Sequence, residues 1–205
     1  MAYNIVQLND MIDELGEEKC RHILSQYSCP PNLDVEHFLT KRAAIDFAKQ
    51  GITRTYLVFS PIKGVEKIAG YFAIAAKAIT VEPNKLNLSN SLKKRIKKFG
   101  QYDSLLKRYY ISAPLLAQLG KNYADQCDKL ITGDELLHLA LEKVGQAQAL
   151  IGGRFVYLEC EPQESLIDFY KRHGFCEFAR RDLDADEVMF YENKCLVQML
   201  KYLGK

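Results

Sequence analysis

Several features that would announce a function are missing from this sequence. Its 205 residues set 28 Lys and Arg against 26 Asp and Glu, so a net charge of +2 makes no case in total for nucleic acid or membrane. No apolar stretch approaches the roughly 18 residues of a membrane span. The six cysteines (Cys20, Cys29, Cys127, Cys160, Cys176, Cys195) form no CxxC pair, and the chain does not open on a secretory apolar region. They are therefore expected as reduced thiols of a cytoplasmic protein. The phosphate loop GxxxxGKS/T, the dinucleotide fingerprint GxGxxG, the hydrolase elbow GxSxG and the zinc signature HExxH are all absent. His22, His37, His138 and His173 lack ligand spacing, so no metal is expected. At 48% hydrophobic and 26% charged, the composition excludes disorder and a fibrous repeat.

What is present is a change of period along the chain. Asn9-Asp10 is placed to cap a helix running to about Tyr27, Cys29-Pro30-Pro31-Asn32 breaks it, and Asp34 opens a second helix ended by Gly51. Residues 53–60 and 67–76, around the turn Pro61 to Gly64, predict a hairpin. A third strand is predicted from Tyr109 to about Leu119, with Pro114 demanding a bulge or an unpaired amide. Helical period returns over Asp134 to Ile151, followed by strand Arg154 to Glu161, helix Ser165 to Arg172, Gly174 as terminator, and strands at 175–181 and 195–203. Met189 to Tyr191 is expected as a short extended piece. The layout is α/β, with a mixed, mostly antiparallel central sheet and helices on both faces; no Pro, Gly or Ser-rich boundary divides residues 1–205, so one domain is expected.

The most informative stretch is Leu158 to Phe178, LECEPQESLIDFYKRHGFCEF, in which a buried-type strand ends in acids and a helix ends in Phe-Tyr-x-x-x-Gly-Phe. Phe169, Tyr170, Gly174 and Phe175 resemble the corresponding pattern of the GCN5-related N-acetyltransferases. The order of elements extends that resemblance over nearly the whole chain, most weakly at residues 1–50 and 80–108. It implies the acyl-CoA N-acyltransferase fold and transfer of an acetyl group from acetyl-CoA to an amine by direct attack on the thioester.

In that family the cofactor lies where two parallel strands part, with its pyrophosphate over a helix N-terminus, an end suited to anions because its N–H groups are free. The matching pieces are Gln118 and Leu119 on the strand, then Lys129, Ile131, Thr132, Gly133 and Asp134 around the helix start. The family's Q/R-x-x-G-x-G/A loop is reduced: between Gln126 and Gly133 only the last glycine is kept. Thr132-x-x-Glu135 also reads as a capping box, which needs no ligand.

The resemblance assigns Tyr170 as the acid that protonates the departing thiolate; its i, i+3, i+4 spacing with Leu166 and Phe169 also fits a core residue. An alkyl ammonium has a pKa of about 10, so the amine needs a base. Glu159 and Glu161, alternating at the strand end, are the candidates, and a backbone N–H near Leu119 is expected at the oxyanion.

Charge is unevenly spread. Residues 85–108 hold Lys85, Lys93, Lys94, Arg95, Lys97, Lys98, Lys107 and Arg108 against Asp103 alone, a net +7 that leaves −5 for the rest. Leu92, Ile96 and Phe99 make this an amphipathic basic helix within an insertion. A docked, solvated helix is one reading. Contact of Lys93, Lys94, Arg95, Lys97 and Lys98 with RNA or with a cofactor phosphate is the other, and a non-catalytic module of the same fold binding RNA or a partner there is the rival to the enzyme. The acceptor and the oligomeric state stay open, a dimer among the options.

Overall fold

The computed structural model describes residues 3–204 apart from Arg42, Lys63, Pro83, Lys85, Asn87 and Asp186. In chain order the elements are β1 (Asn4–Gln7), α1 (Leu8–Leu15), α2 (Glu17–Leu24), α3 (Leu33–Thr40), α4 (Ala43–Gln50), β2 (Thr53–Ile62) and β3 (Val65–Ala75). They continue with β4 (Ala78–Val81), α5 (Asn90–Phe99), β5 (Gln101–Asp103), β6 (Arg108–Ser112) and β7 (Leu115–Lys121). A 3-10 turn (Ala124–Lys129) leads to α6 (Gly133–Ile151), β8 (Phe155–Cys160), α7 (Glu164–Arg172), β9 (Cys176–Asp182) and β10 (Cys195–Tyr202).

The long N-terminal helix expected to end near Tyr27 is two helices, preceded by a strand. Gly16 takes φ +81°, its N–H closing α1 on Ile12 O and its carbonyl receiving Cys20 N, so one residue ends α1 and starts α2. The second expected helix is also divided, at Lys41, and its cap is Asn32 rather than Asp34: the Asn32 side chain accepts from Val35 N at 3.1 Å. The hairpin of β2 and β3 forms as expected, in register from Thr53↔Ala75 to Ile62↔Val65 with a bulge at Val58/Phe59; Lys63 of its turn lies outside the described residues. The expected strand from Tyr109 to Leu119 is two strands. Pro114 has no N–H to give a ladder, and β6 ends before it to pair with β4 and β5 in a separate three-stranded sheet. Met189 and Phe190 turn rather than extend, because Phe190 N bonds Glu187 O at 2.9 Å, and Tyr191 belongs to no strand.

The chain divides into two compact units, residues 1–75 with 117–142 and residues 76–116 with 143–205. In the first, β1, β2 and β3 are antiparallel, and β3 neighbours β7. The core is built on Leu8, Leu24, Leu39, Ile45, Leu57 and Tyr71, all at most 1% exposed. Tyr71 spends its hydroxyl on Val35 O at 2.6 Å, so its whole ring is buried with no unmet polar atom. In the second, the start of β7 pairs parallel with β8, while β10 lies antiparallel to both β8 and β9. Ile96, Ile111, Phe155 and Leu200 form its core. Each such side chain contributes about 1.5–3 kcal/mol by leaving water.

Candidate functional site

In the first unit the candidate residues gather on β7 and on the segment that follows it. Gly70 on β3 and Gly120 on β7 give that strand its close neighbours: a Cβ on Gly70 would lie 2.9 Å from Gly120 O, and one on Gly120 would lie 2.4 Å from Val35 Cγ1. Gln118 donates its side-chain amide to Asp34 Oδ2 at 2.9 Å, which ties β7 to α3 and leaves its main chain as what it can offer a ligand. The parallel ladder to β8 comprises only Leu115↔Tyr157 and Leu116↔Leu158 among the described residues. From Ala117 onward the outward N–H and C=O groups of β7 are not committed to that ladder, and Leu119 lies in this stretch.

Beyond the strand, Asn122 is a buried clamp that sequence reasoning missed. Its Oδ1 accepts from Ser28 N and Ala124 N at 3.0 Å each, and its Nδ2 donates to Ile68 O at 2.8 Å. A lone Asn after a strand carries no pattern that would single it out. Asp125 and Gln126 are left-handed, with φ 51° and 63°, a conformation that costs non-glycine residues on the order of 1 kcal/mol each. Lys121 Nζ holds the carbonyl of Asp128 at 2.8 Å, and Lys129 Nζ reaches Gln126 Oε1 at 3.1 Å.

At the head of α6 the capping box forms. Thr132 N and Oγ1 both donate to Glu135 Oε2 at 2.8 Å, and Glu135 N donates to Thr132 Oγ1 at 3.1 Å. The Thr132 bonds hold the Glu135 carboxyl below its usual range. Ile131 is buried and anchors the turn, whereas Gly133 and Asp134 begin the helix.

In the second unit Tyr170 sits on α7 at 8% exposure, with the rings of Phe169 and Phe175 centred 5.0 and 5.7 Å away. Burial, reinforced by Cys160, pushes its phenol well above the ordinary value, so it stays protonated across neutral pH. Glu159 on β8 is already bound: Arg181 Nε donates to Oε2 at 2.7 Å and Gln198 Nε2 to Oε1 at 2.7 Å. Arg181 also grips Glu187 through two nitrogens, at 2.6 and 2.7 Å, a network no spacing rule reveals. Glu161 is more loosely held, accepting from Gln163 Nε2 at 3.3 Å and Asn193 Nδ2 at 3.5 Å.

The basic helix α5 docks by its stripe, with Leu92 and Ile96 buried, while Lys94, Arg95, Lys97 and Lys98 are exposed and Lys93 is half-buried. Arg95 stacks on Tyr202 at 4.3 Å and Arg154 on Phe99 at 4.9 Å. Lys85 of the same basic segment lies outside the described residues. Among the described residues no cluster of His, Cys, Asp or Glu is grouped to hold a metal, and no helix is long and apolar enough to cross a membrane.

No protein-family model and no curated protein sequence matches the chain. Solved structures do. The structure of AtaT complexed with acetyl-methionyl-tRNAfMet has a TM-score of 0.61 at 19% identity, covering 96% of this chain and 94% of that one. A tyrosine-to-phenylalanine mutant of KacT gives 0.62 at 18%, covering 97% and 94%. AtaTR bound with AcCoA gives 0.57 at 19%, covering 95% and 92%. Element order, the mixed and mostly antiparallel sheet and these likenesses agree, and the chain has the fold of the GCN5-related N-acetyltransferases.

Proposed function

We propose that the chain transfers the acetyl group of acetyl-CoA to a primary amine. The observation that carries the reading is the two-pair parallel ladder of β7 and β8, after which β7 keeps main-chain groups to offer a ligand. Gln118 and Leu119 pair with the amides of the pantetheine arm, and Leu119 N–H meets the oxyanion. Ile131, Thr132, Gly133 and Asp134 present the head of α6 to the pyrophosphate, with Lys129 adding positive charge. In the reaction the amine nitrogen attacks the thioester carbonyl, the C–N bond forms and the C–S bond breaks. The sulfur leaves with the Tyr170 proton, and solvent restores the phenol. The amine's own proton goes to Glu161 directly or through water; Glu159, both of whose oxygens hold donors, positions Arg181. The six cysteines are free thiols, in keeping with a cytoplasmic enzyme.

The neighbour AtaT is complexed with acetyl-methionyl-tRNA. An aminoacyl-tRNA amine is accordingly the acceptor we favour, with Lys93, Lys94, Arg95, Lys97 and Lys98 meeting RNA phosphate. A second reading keeps the fold without the chemistry, and the capping box favours it, because Glu135 brings a carboxylate to the turn a pyrophosphate would use. Labelled acetyl-CoA incubated with bulk aminoacyl-tRNA and with small amines separates the two. The enzyme labels an amine, and Tyr170→Phe slows that by about 10²-fold or more while folding with nearly the parent stability. No labelled product from any acceptor class, or an unslowed Tyr170→Phe, overturns the catalytic reading.

A further inference from the structure

We propose that a cavity inside the first unit binds a small amphiphilic ammonium ion, and that filling it steadies the segment leading to the α6 turn. The cavity encloses about 370 Å³, within the range of small-molecule sites. Its floor is Met11 of α1, Ile68 of β3 and Cys127 of the 3-10 turn, all buried, and Glu14 and Glu66 stand exposed on its lining. Charge decides the ligand class. Lys67 is committed to Asp125 at 3.5 Å, whereas neither Glu14 nor Glu66 is in an ion pair among the described residues. An anion is repelled there and a neutral hydrocarbon leaves the carboxylates unused. An alkyl ammonium uses the floor for its chain and the acids for its head. Burial, more than the neighbouring acids, pushes the Cys127 thiol up, so that wall stays uncharged.

The effect on the segment follows from position. Asp125 and Cys127 belong to the turn that holds the two left-handed residues, and it ends three positions before Thr132. Lys121 and Asn122 already hold this segment, and ligand contacts on Cys127 and Asp125 add to them against the strain of its two left-handed residues, so the ordered arrangement gains population. This half rests on the proposed acetyl-CoA site; the binding half does not.

Calorimetric titration of the whole chain with n-hexylamine, hexan-1-ol and hexanoate tests it. Hexylamine is expected to bind with a dissociation constant on the order of 1 mM. Hexan-1-ol is expected to bind about five- to tenfold more weakly, and hexanoate not at all. The double variant Glu14→Gln, Glu66→Gln should bring hexylamine down to the level of hexan-1-ol without changing the alcohol, and Cys127→Phe should abolish both. Absence of hexylamine binding, equal binding of hexanoate, or unchanged hexylamine affinity in the double variant overturns the proposal; both glutamates are exposed, so that variant folds even if Cys127→Phe does not. Saturating hexylamine should also tighten acetyl-CoA binding by twofold or more. If acetyl-CoA binds equally with and without the amine, the coupling is wrong and the cavity stands. If acetyl-CoA does not bind at all, the proposed function and the coupling both fail, and the hexylamine titration still decides the cavity.

Discussion

A methyl group added at Gly120 tests the packing around β7 most sharply. The new Cβ would lie 2.4 Å from Val35 Cγ1 and 2.5 Å from the Tyr27 hydroxyl, more than 1 Å inside ordinary contact. Both neighbours are buried, at 6% and 3% exposure, and neither is the free end of a flexible side chain: Val35 belongs to α3 and the Tyr27 ring packs edge-on against Tyr71 at 5.2 Å. Gly120 is not at positive φ, so the cost is packing alone, about 2–3 kcal/mol. The lower entropy of unfolded alanine offsets about 0.5–1 kcal/mol of that, leaving Gly120→Ala about 1–2.5 kcal/mol less stable. The Tyr27 hydroxyl is buried with no partner stronger than the Cys29 thiol, a weak one, so Tyr27→Phe alone should stay within about 0.5 kcal/mol of the parent. In the double variant it should recover about 1 kcal/mol. Gly145→Ala is the control: nothing lies within 4 Å of its Cβ position on α6, so helix propensity should stabilise it by up to about 1 kcal/mol. Urea unfolding followed by circular dichroism measures all four. A Gly120→Ala protein as stable as the parent, or no coupling to Tyr27, would refute the reasoning.

Arg181→Ala strands Glu159 and Glu187 and should cost about 2 kcal/mol at pH 7. The Arg181 bonds hold the Glu187 carboxyl below its unfolded value, so this stabilisation is complete above the unfolded pKa and is lost as pH falls through the folded one. Stability measured from pH 7 to pH 3 should therefore drop more steeply in the parent below about pH 5 than in the variant; parallel curves would contradict this. On α5, converting Lys93, Lys94, Lys97 and Lys98 to Gln should leave the fold intact, because Leu92 and Ile96 do the docking. RNA retention and its salt dependence should both fall, the slope by up to about 0.7–0.9 for each phosphate that no longer meets a lysine. Binding unchanged across a salt series would assign the charge to solubility alone.

Most of the chain from α6 onward was legible in the sequence because each element there carries its own punctuation. The 3.6-residue stripe of α6, the apolar run of β8 and the positive-φ Gly174 after α7 are local signals, and the structure repeats them within a residue or two. The chain before α6 hid more. At Gly16 a single glycine cuts a stripe that continues in phase on both sides, so the periodicity of Met11 to Leu24 reads straight across it. β1, β4 and β5 are only three or four residues long and owe their existence to partners such as Tyr56 to Phe59 for β1, which no local pattern names. Pro114 signalled a disturbed ladder, but not that the two sides of it join different sheets. At the candidate site, Tyr170 and the capping pair Thr132 and Glu135 were visible as spacing. The Asn122 clamp and the Arg181 network were not, since each is made by residues far apart in the chain. Gly120 was the missed signal: an isolated glycine within a strand marks the approach of another group.

The central claim is that this fold holds acetyl-CoA, and the thermal midpoint of the protein with and without it tests that most directly. Ligand at about 100 times its dissociation constant adds about 2.7 kcal/mol to the folded state. For a chain of this size that corresponds to a rise of about 5–10 °C. An increase that grows with acetyl-CoA concentration is the predicted result. A midpoint that does not move at millimolar acetyl-CoA, while the protein is folded and unfolds cooperatively, would contradict the account.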